Sequence, residues 1–432
     1  MRTLFIYAVM LLVSISANAQ ETITLSQQQC REMALEHDED LKTADNAVRQ
    51  AELDKQIAFA NYLPEFSGTG MGEYMTDFDM SGSTLRMRGM WVAGISVSEP
   101  LYVGGQITAG NKLAKIGLQA KKEQRRKTRM EIIADADNAY WSYISVQWKI
   151  EMLNYYKRQM DTLFSQVNTS FEAGMSTTSD LLNVDAQRSQ IDYQLQKAVN
   201  GANLCRLALC ETIGVSFTTG IIATDTVIVC DDNLQLDEDF SSRPDVNLLQ
   251  SQIAANKQQV RMERASILPQ LALSAGWTWY GNVKVLGTTE YNGETIAYSQ
   301  KMHGDFGLAM LTLSVPLFHW GENLKKIKKA KIEVHNSELA YEKNMRLMSI
   351  EVRQAVQNVT DSHNMVESAQ LSCDLNQENL RVMRERYECG LSSLSDLLQN
   401  ESLWVEAQSN LIEAKTQLKI YETEYLRVTG RL

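Results

Sequence analysis

The sequence contains itself twice, and each copy includes a run that only a very long helix can fill. Pro100-Leu101 recurs as Pro316-Leu317, 216 positions on. At the same offset Gly105 meets Gly321, and Ala114-Lys115-Ile116 meets Ala330-Lys331-Ile332. Ser179-Asp180-Leu181-Leu182 meets Ser395-Asp396-Leu397-Leu398, and Gly214 meets Gly430. Upstream the offset falls to 205, pairing Pro64 with Pro269, so the loop between Pro269 and Pro316 is longer than its counterpart. A fixed internal period marks a chain built from repeated structural units. Neither Gly105 to Phe171 nor Gly321 to Tyr387 contains a proline. At 1.5 Å per residue each run makes a helix of roughly 100 Å, where globular helices average about 11–12 residues. Helices that long need partners along their length, as in bundles and coiled coils.

Each repeat has one order of elements. A helix-like stretch comes first, Leu25 to about Leu63 and Pro244 to about Leu268, and both end at a proline, where helices tend to stop. Two strand-like segments follow. Leu271, Leu273, Ala275, Trp277 and Trp279 alternate with small or polar residues, as do Trp91, Ala93, Ile95 and Val97; period two is the mark of a strand. Phe66 to Tyr74 is a weaker, glycine-rich strand, and in Phe306 to Val315 the apolar face changes side near Met310. The long helix and a return helix of about half its length complete the repeat.

The expected organisation is a signal peptide over 1–19, a first repeat over 20–214, a mixed linker over 215–242 and a second repeat over 243–432. Strands are expected at about 65–100 and 270–316, long helices at about 105–171 and 321–387, and return helices at about 180–213 and 396–428. The linker holds Val227-Ile228-Val229 and the acidic Asp237-Glu238-Asp239. Arg2, the apolar run Leu4 to Val13 and Ala17-Asn18-Ala19 have the form of a secretory signal. Of the five prolines, four form two repeat-related pairs at helix–strand borders, and Pro244 opens a helix.

Net charge −11 argues against a nucleic-acid partner. The mature chain has no apolar run of 18 residues, so a bilayer contact must be made by strands. The six cysteines show no metal spacing and are expected to be mostly free, with Cys210–Cys230 an alternative pair. No H-E-x-x-H or G-x-S-x-G occurs, and Gly68-Thr69-Gly70-Met71-Gly72 precedes no helix. Nothing in the sequence proposes an enzyme, a cofactor or a metal.

The turn between the long and return helices reads Phe171-Glu172-Ala173-Gly174-Met175-Ser176-Thr177-Thr178-Ser179-Asp180-Leu181-Leu182. Its second copy reads Tyr387-Glu388-Cys389-Gly390-Leu391-Ser392-Ser393-Leu394-Ser395-Asp396-Leu397-Leu398. Gly174 and Gly390 suit the left-handed position that ends a helix. Thr177 with Asp180, and Ser393 with Asp396, form capping-box patterns for the next helix.

This double order of helix, strand, strand, long helix and helix, with its paired turn motif, resembles the TolC family of outer-membrane efflux and secretion channels. The resemblance spans nearly the whole mature chain. It implies long-helix α structure with transmembrane β: a homotrimer whose twelve strands close an edge-free barrel, continued as an α-helical barrel through the periplasm of a Gram-negative cell. It also implies a periplasmic adaptor (membrane fusion protein), an inner-membrane transporter and outer-membrane lipid as partners. By resemblance, Asp180 and Asp396 constrict the periplasmic tip, where rings of carboxylates favour cations; read locally, they only cap helices. Where the family often carries a further aspartate three residues on, this chain has Asn183 and Gln399. Gly174, Met175, Ser176, Gly390, Leu391 and Ser392 match the adaptor-contacting tip, or are simply solvent-exposed. Trp91, Trp277 and Trp279 suit an aromatic girdle, or inter-strand packing. Lys325, Lys326, Lys328, Lys329 and Lys331 form a basic run suited to lipid headgroups or to a solvated face; Lys121 to Arg129 form another. The competing reading of the whole chain is a secreted coiled-coil adaptor or structural protein without a pore.

Overall fold

Prolines and left-handed glycines divide this chain into helices and strands more sharply than any change in composition. The computed structural model describes residues 22–80, 83–86, 88–225, 236–291 and 294–432. The expected signal peptide, Val227-Ile228-Val229 and Cys230 lie outside the described residues. In order the elements are β1 (Thr22–Leu25), α1 (Gln27–His37), α2 (Glu39–Ala60), β2 (Glu65–Tyr74), β3 (Phe78–Met80), β4 (Ser83–Arg86), β5 (Arg88–Val103), α3 (Gln106–Glu172) and α4 (Thr178–Thr212). After these come β6 (Gly220–Ala223), α5 (Pro244–Ala265), β7 (Gln270–Tyr291), β8 (Glu294–Ser314), α6 (Glu322–Glu388) and α7 (Leu394–Thr429). The two long helices, α3 and α6, have 67 residues each.

Two features depart from the expected elements. The first helix-like stretch is two helices, broken at Asp38, whose backbone turns out of the helix at ψ 129°. Its carboxylate accepts the Leu41 N–H at 2.8 Å, and Glu39 and Asp40 follow in the first turn of α2, so Asp38 starts a helix as it ends one. The first strand pair carries an added hairpin, β3–β4, where Arg86 donates to Asp77 at 2.8 Å. Where the apolar face changes side near Met310 the pairing is continuous: β8 pairs with β7 without a shift from Gly304 to Ser314. Both of its faces carry large apolar groups.

The chain forms two units. One comprises Ala47–Lys122 and Leu248–Tyr341 and holds the antiparallel sheet. There β2 pairs with β5, β5 with β7, and β7 with β8; β4 extends the β5 side of β7, and β3 pairs with β4. β2 and β8, one from each repeat, are therefore edges, as is the short β3. Register places Phe66, Trp91, Ile95, Val97, Leu273, Trp277, Trp279, Leu311 and Leu313 on one face. Ser67, Thr69, Ser96, Ser98, Ser274 and Thr278 lie on the other, together with Phe306, Leu308 and Met310 of β8. Every residue of β2, and all of β8 but Gly304, is exposed in the single chain. Among the described residues this sheet buries neither face on a core.

The other unit comprises the residues up to Asn46, Glu123–Asn247 and Glu342–Leu432, and is helical. Its largest core gathers Leu25, Cys30, Tyr140, Ile144, Leu209 and Ile213 beside the parallel pair β1–β6. Buried Asp137 of α3 accepts Arg31 of α1 at 2.5 and 2.7 Å and Thr423 of α7 at 2.7 Å. A buried carboxylate without such donors would be strongly destabilising. The five described cysteines are free thiols, and burial pushes Cys30 up to about 12. Among the described residues no helix is long and apolar enough to cross a membrane.

Candidate functional site

The two long helices end identically. Gly174 and Gly390 both take φ +72°, a conformation open to glycine at little cost. Gly174 N–H donates to Phe171 O at 2.9 Å and Met175 N–H to Ser170 O at 2.8 Å. Gly390 N–H donates to Tyr387 O, and Leu391 N–H to Arg386 O, at the same two distances. Each reversal is a Schellman motif, which satisfies carbonyls that a helix end leaves orphaned.

The next residues start the return helices. Thr177 is the N-cap of α4 and Ser393 that of α7, each in a complete capping box. Thr177 Oγ1 lies 2.7 Å from Asp180 Oδ2, and the Asp180 N–H returns a bond to Thr177 Oγ1 at 3.1 Å. Ser393 and Asp396 repeat this at 2.7 and 3.2 Å. Ser176 Oγ adds a donor to Asp180 at 3.3 Å, whereas Ser392 Oγ turns back to Met383 O at 3.5 Å. The Thr177 side chain, then its backbone N–H, hold the Asp180 carboxyl below its ordinary value. Ser393 does the same for Asp396. Both are carboxylates at neutral pH. Their capping bonds all fall on Oδ2, which leaves Oδ1 outside the caps. At the crown of each turn stands a bare apolar side chain, Met175 at 80% exposure and Leu391 at 75%. Asn183 and Gln399 are exposed.

One core holds both turns. Tyr156, Met160, Leu163 and Val167 of α3 pack with Val184 and Ile191 of α4, Leu380 of α6, and Leu394 and Leu397 of α7. Gln187 of α4 donates to Tyr156 on α3 and to Ser402 on α7, both at 3.2 Å. Asp180 and Asp396 thus belong to adjacent hairpins with a shared interior. A further carboxylate in this region was not legible from sequence. Glu401 of α7 is 2% exposed and accepts Arg384 of α6 at 3.1 Å. Burial raises its pKa, and Arg384 only partly offsets this. Its Oε2 has no hydrogen bond among the described residues. Only its spacing of four from Leu397, on the buried stripe of α7, signalled burial.

In the sheet unit Trp91, Trp277 and Trp279 share the apolar face. Trp91 lies over Gly281 and Trp277 over Gly307, where a Cβ would sit 2.6 and 2.7 Å from the indoles. Trp277 also donates to Asp305 at 3.0 Å. Lys325, Lys326, Lys328, Lys329 and Lys331 are exposed on the first turns of α6, with Lys326 paired to Glu322. Three residues of the first basic run are paired instead, Arg125 to Asp45, Lys127 to Asp245, and Arg126 to the Ser242 and Gly430 carbonyls, while Lys121, Lys122 and Arg129 are exposed. Among the described residues no group of three or more metal-binding side chains converges.

The family model described as "Outer membrane efflux protein" matches residues 30–208 and 236–431. The chain is 22% identical over 394 residues to Toxin and drug export protein A of Aggregatibacter actinomycetemcomitans, covering 89% of this chain and 81% of that protein. A crystal structure of CusC superimposes with a TM-score of 0.79 at 16% identity, covering 96% of this chain and 95% of that one. VceC of Vibrio cholerae does so at 0.77 and 16% identity, covering 94% and 96%. At such identities the solved structures speak to fold.

Proposed function

The chain belongs to the outer membrane efflux protein family, and on that premise we propose how its residues serve export. The protein is the trimeric outer-membrane channel of a tripartite efflux or type I secretion assembly, working with a periplasmic adaptor and an inner-membrane transporter. The family is one of transporters, and we read this chain as a passive conduit that carries out no reaction itself.

The observation that carries this reading is the sheet. It has free edges at β2 and β8, a face lined by Trp91, Ile95, Trp277, Trp279 and Leu311, and among the described residues no core of its own. An exposed edge in a single chain is a template for another strand, and apolar groups facing outward need lipid. Three copies of the β2–β5–β7–β8 ribbon give twelve strands and no edge. The apolar stretch from Leu271 to Gly281 has the length of a tilted membrane strand, about 9–11 residues. Trp91, Trp277 and Trp279 anchor that face at the lipid boundary.

The paired turns form the periplasmic tip. Asp180 and Asp396 cap their helices through Oδ2 and present charge through Oδ1, setting rings of carboxylates when three copies meet. Met175 and Leu391 offer apolar contacts to the adaptor, on turns made rigid by Gly174, Gly390, Thr177 and Ser393. In planar bilayers the purified protein is expected to give discrete, cation-preferring current steps. Replacing both Asp180 and Asp396 with Ala should raise conductance or weaken the preference. Unchanged conductance and selectivity would leave the aspartates with capping alone. Recovery in the soluble periplasmic fraction without detergent would sink the channel reading and favour a pore-free adaptor.

A further inference from the structure

We propose that the corner Leu317–Trp320 of one copy seats on the end of α2, Ala60–Leu63, of the next copy, and that Trp320 fills a junction which its repeat partner Gly104 closes within the chain. The inference rests on the trimeric reading above and adds a contact that reading does not specify.

Within the chain, the corner between β5 and α3 presses on the end of α5. Gly104 takes φ +65°, and a Cβ there would lie 2.6 Å from Ala265 O, 2.9 Å from Ala265 Cα and 3.0 Å from Leu268 Cβ. Ala265 is accordingly 1% exposed. The repeat offsets carry Gly104 to Trp320, Ala265 to Ala60 and Leu268 to Leu63. All three mates are bare in the single chain: Trp320 is 87% exposed, and Ala60 and Leu63 are exposed as well. Two surfaces that pack together in one half of the molecule thus stand open, and apart, in the other.

The corner keeps its backbone while changing its side chain. Trp320 holds φ +49°, a left-handed conformation that bulky residues rarely accept. If the second junction copied the first, its Cβ would strike Ala60 O. The inter-chain junction is therefore wider than the intra-chain one, and the indole occupies the difference, braced by Phe318 at 5.1 Å.

The neighbouring strands argue for a second copy over lipid as the occupant. β8 ends three residues before Leu317, and β2 begins two residues after Leu63. The β5–β7 register sets Val97 opposite Ala275 and Ile95 opposite Trp277. The same offsets set Leu313 opposite Gly70, and Leu311 opposite Gly72, of the next copy. A Cβ on Gly70 or Gly72 would meet nothing within 4 Å, and both leucines are exposed. Large side chains over glycines are how this sheet already packs, as Trp91 over Gly281 and Trp277 over Gly307 show.

Cross-linking tests the contact in outer membranes carrying the full chain with Cys389→Ser. The corner pair is Leu63→Cys with Trp320→Cys; the strand control is Gly70→Cys with Leu313→Cys. A short bismaleimide is expected to give dimer and trimer bands from both pairs and none from the single variants. If the control pair links and the corner pair does not, the corner contact is overturned and the trimer stands. Labelling of W320C in the assembled trimer by a lipid-soluble maleimide would overturn the corner contact in the same way. If neither pair links and the protein is a monomer, the trimeric reading itself fails. Trp320→Gly, which suits φ +49°, is expected to keep the helix content while lowering the temperature at which the trimer dissociates in SDS. An unchanged dissociation temperature would overturn the filling role.

Discussion

Gly104 and Gly105 are neighbours with the same handedness and different surroundings, so they separate backbone strain from steric collision. Their φ angles are +65° and +84°. An L side chain in this region costs about 1–2 kcal/mol, and Gly105→Ala should cost that much, because nothing lies within 4 Å of its Cβ. Gly104→Ala adds a clash with the backbone of Ala265. Backbone atoms cannot swing aside as a side-chain end can, and overpacking of this kind costs about 1–3 kcal/mol more. At about 1.4 kcal/mol per factor of ten, the difference is roughly 5- to 150-fold in a local opening equilibrium. Hydrogen–deuterium exchange on the detergent-solubilised trimer reads it directly. Ala265 O accepts the Leu268 N–H at 3.1 Å, so peptides ending α5 should exchange faster in Gly104→Ala than in Gly105→Ala by that factor. Equal rates, or a larger effect at Gly105, would mean that the corner does not press on α5. The comparison with Trp320 would then lose its basis.

The remaining expectations concern the tip. Asp180→Asn with Asp396→Asn keeps an acceptor for each cap and removes the charge, so helix-start exchange should hold while cation preference falls; loss of protection with unchanged selectivity would reverse the assignment. Both aspartates titrate below their ordinary value, so their stabilisation is present above it and is lost as pH falls through the lowered value; cation preference should persist at pH 4 in bilayer recordings, and its loss near pH 5 would contradict this. Glu401 has the opposite sign: burial raises its pKa above the ordinary carboxyl value, so the folded state binds its proton more readily than the unfolded chain, and protection of α7's first turns should rise as pH falls through the raised value toward about 4.5. Glu401→Gln should abolish that rise, and a persisting rise would place its origin elsewhere. Met175→Asp with Leu391→Asp should weaken adaptor capture by at least tenfold in pull-downs while the trimer stays intact; equal capture would remove the turns from the docking surface.

The order of elements was legible because it is written twice, and at three scales. Period two marked the strands around Trp91 and Trp277, proline-free runs marked α3 and α6, and glycine followed by Ser/Thr-x-x-Asp marked the turns. The break at Asp38 carried its own signal, an aspartate followed by Glu39 and Asp40, but the surrounding helical pattern outweighed it. The β3–β4 hairpin and the β1–β6 pair are too short for periodicity to show. The register of β8 was not legible because an edge strand with two apolar faces has no phase to read. At the tip, the capping residues could be read because capping is local. The burial of Glu401 against Arg384 could not, because it depends on which face α6 turns toward α7, a tertiary fact. The asymmetry between Gly104 and Trp320 stands in the repeat alignment, yet it acquires meaning only once Ala265 is seen buried and Ala60 bare.

Native mass spectrometry of the protein extracted from outer membranes tests the central claim most directly. One species is expected, at three times the mass of the mature subunit. A monomer from intact membranes, or the protein's absence from the outer-membrane fraction, would contradict a barrel closed by three copies of this sheet.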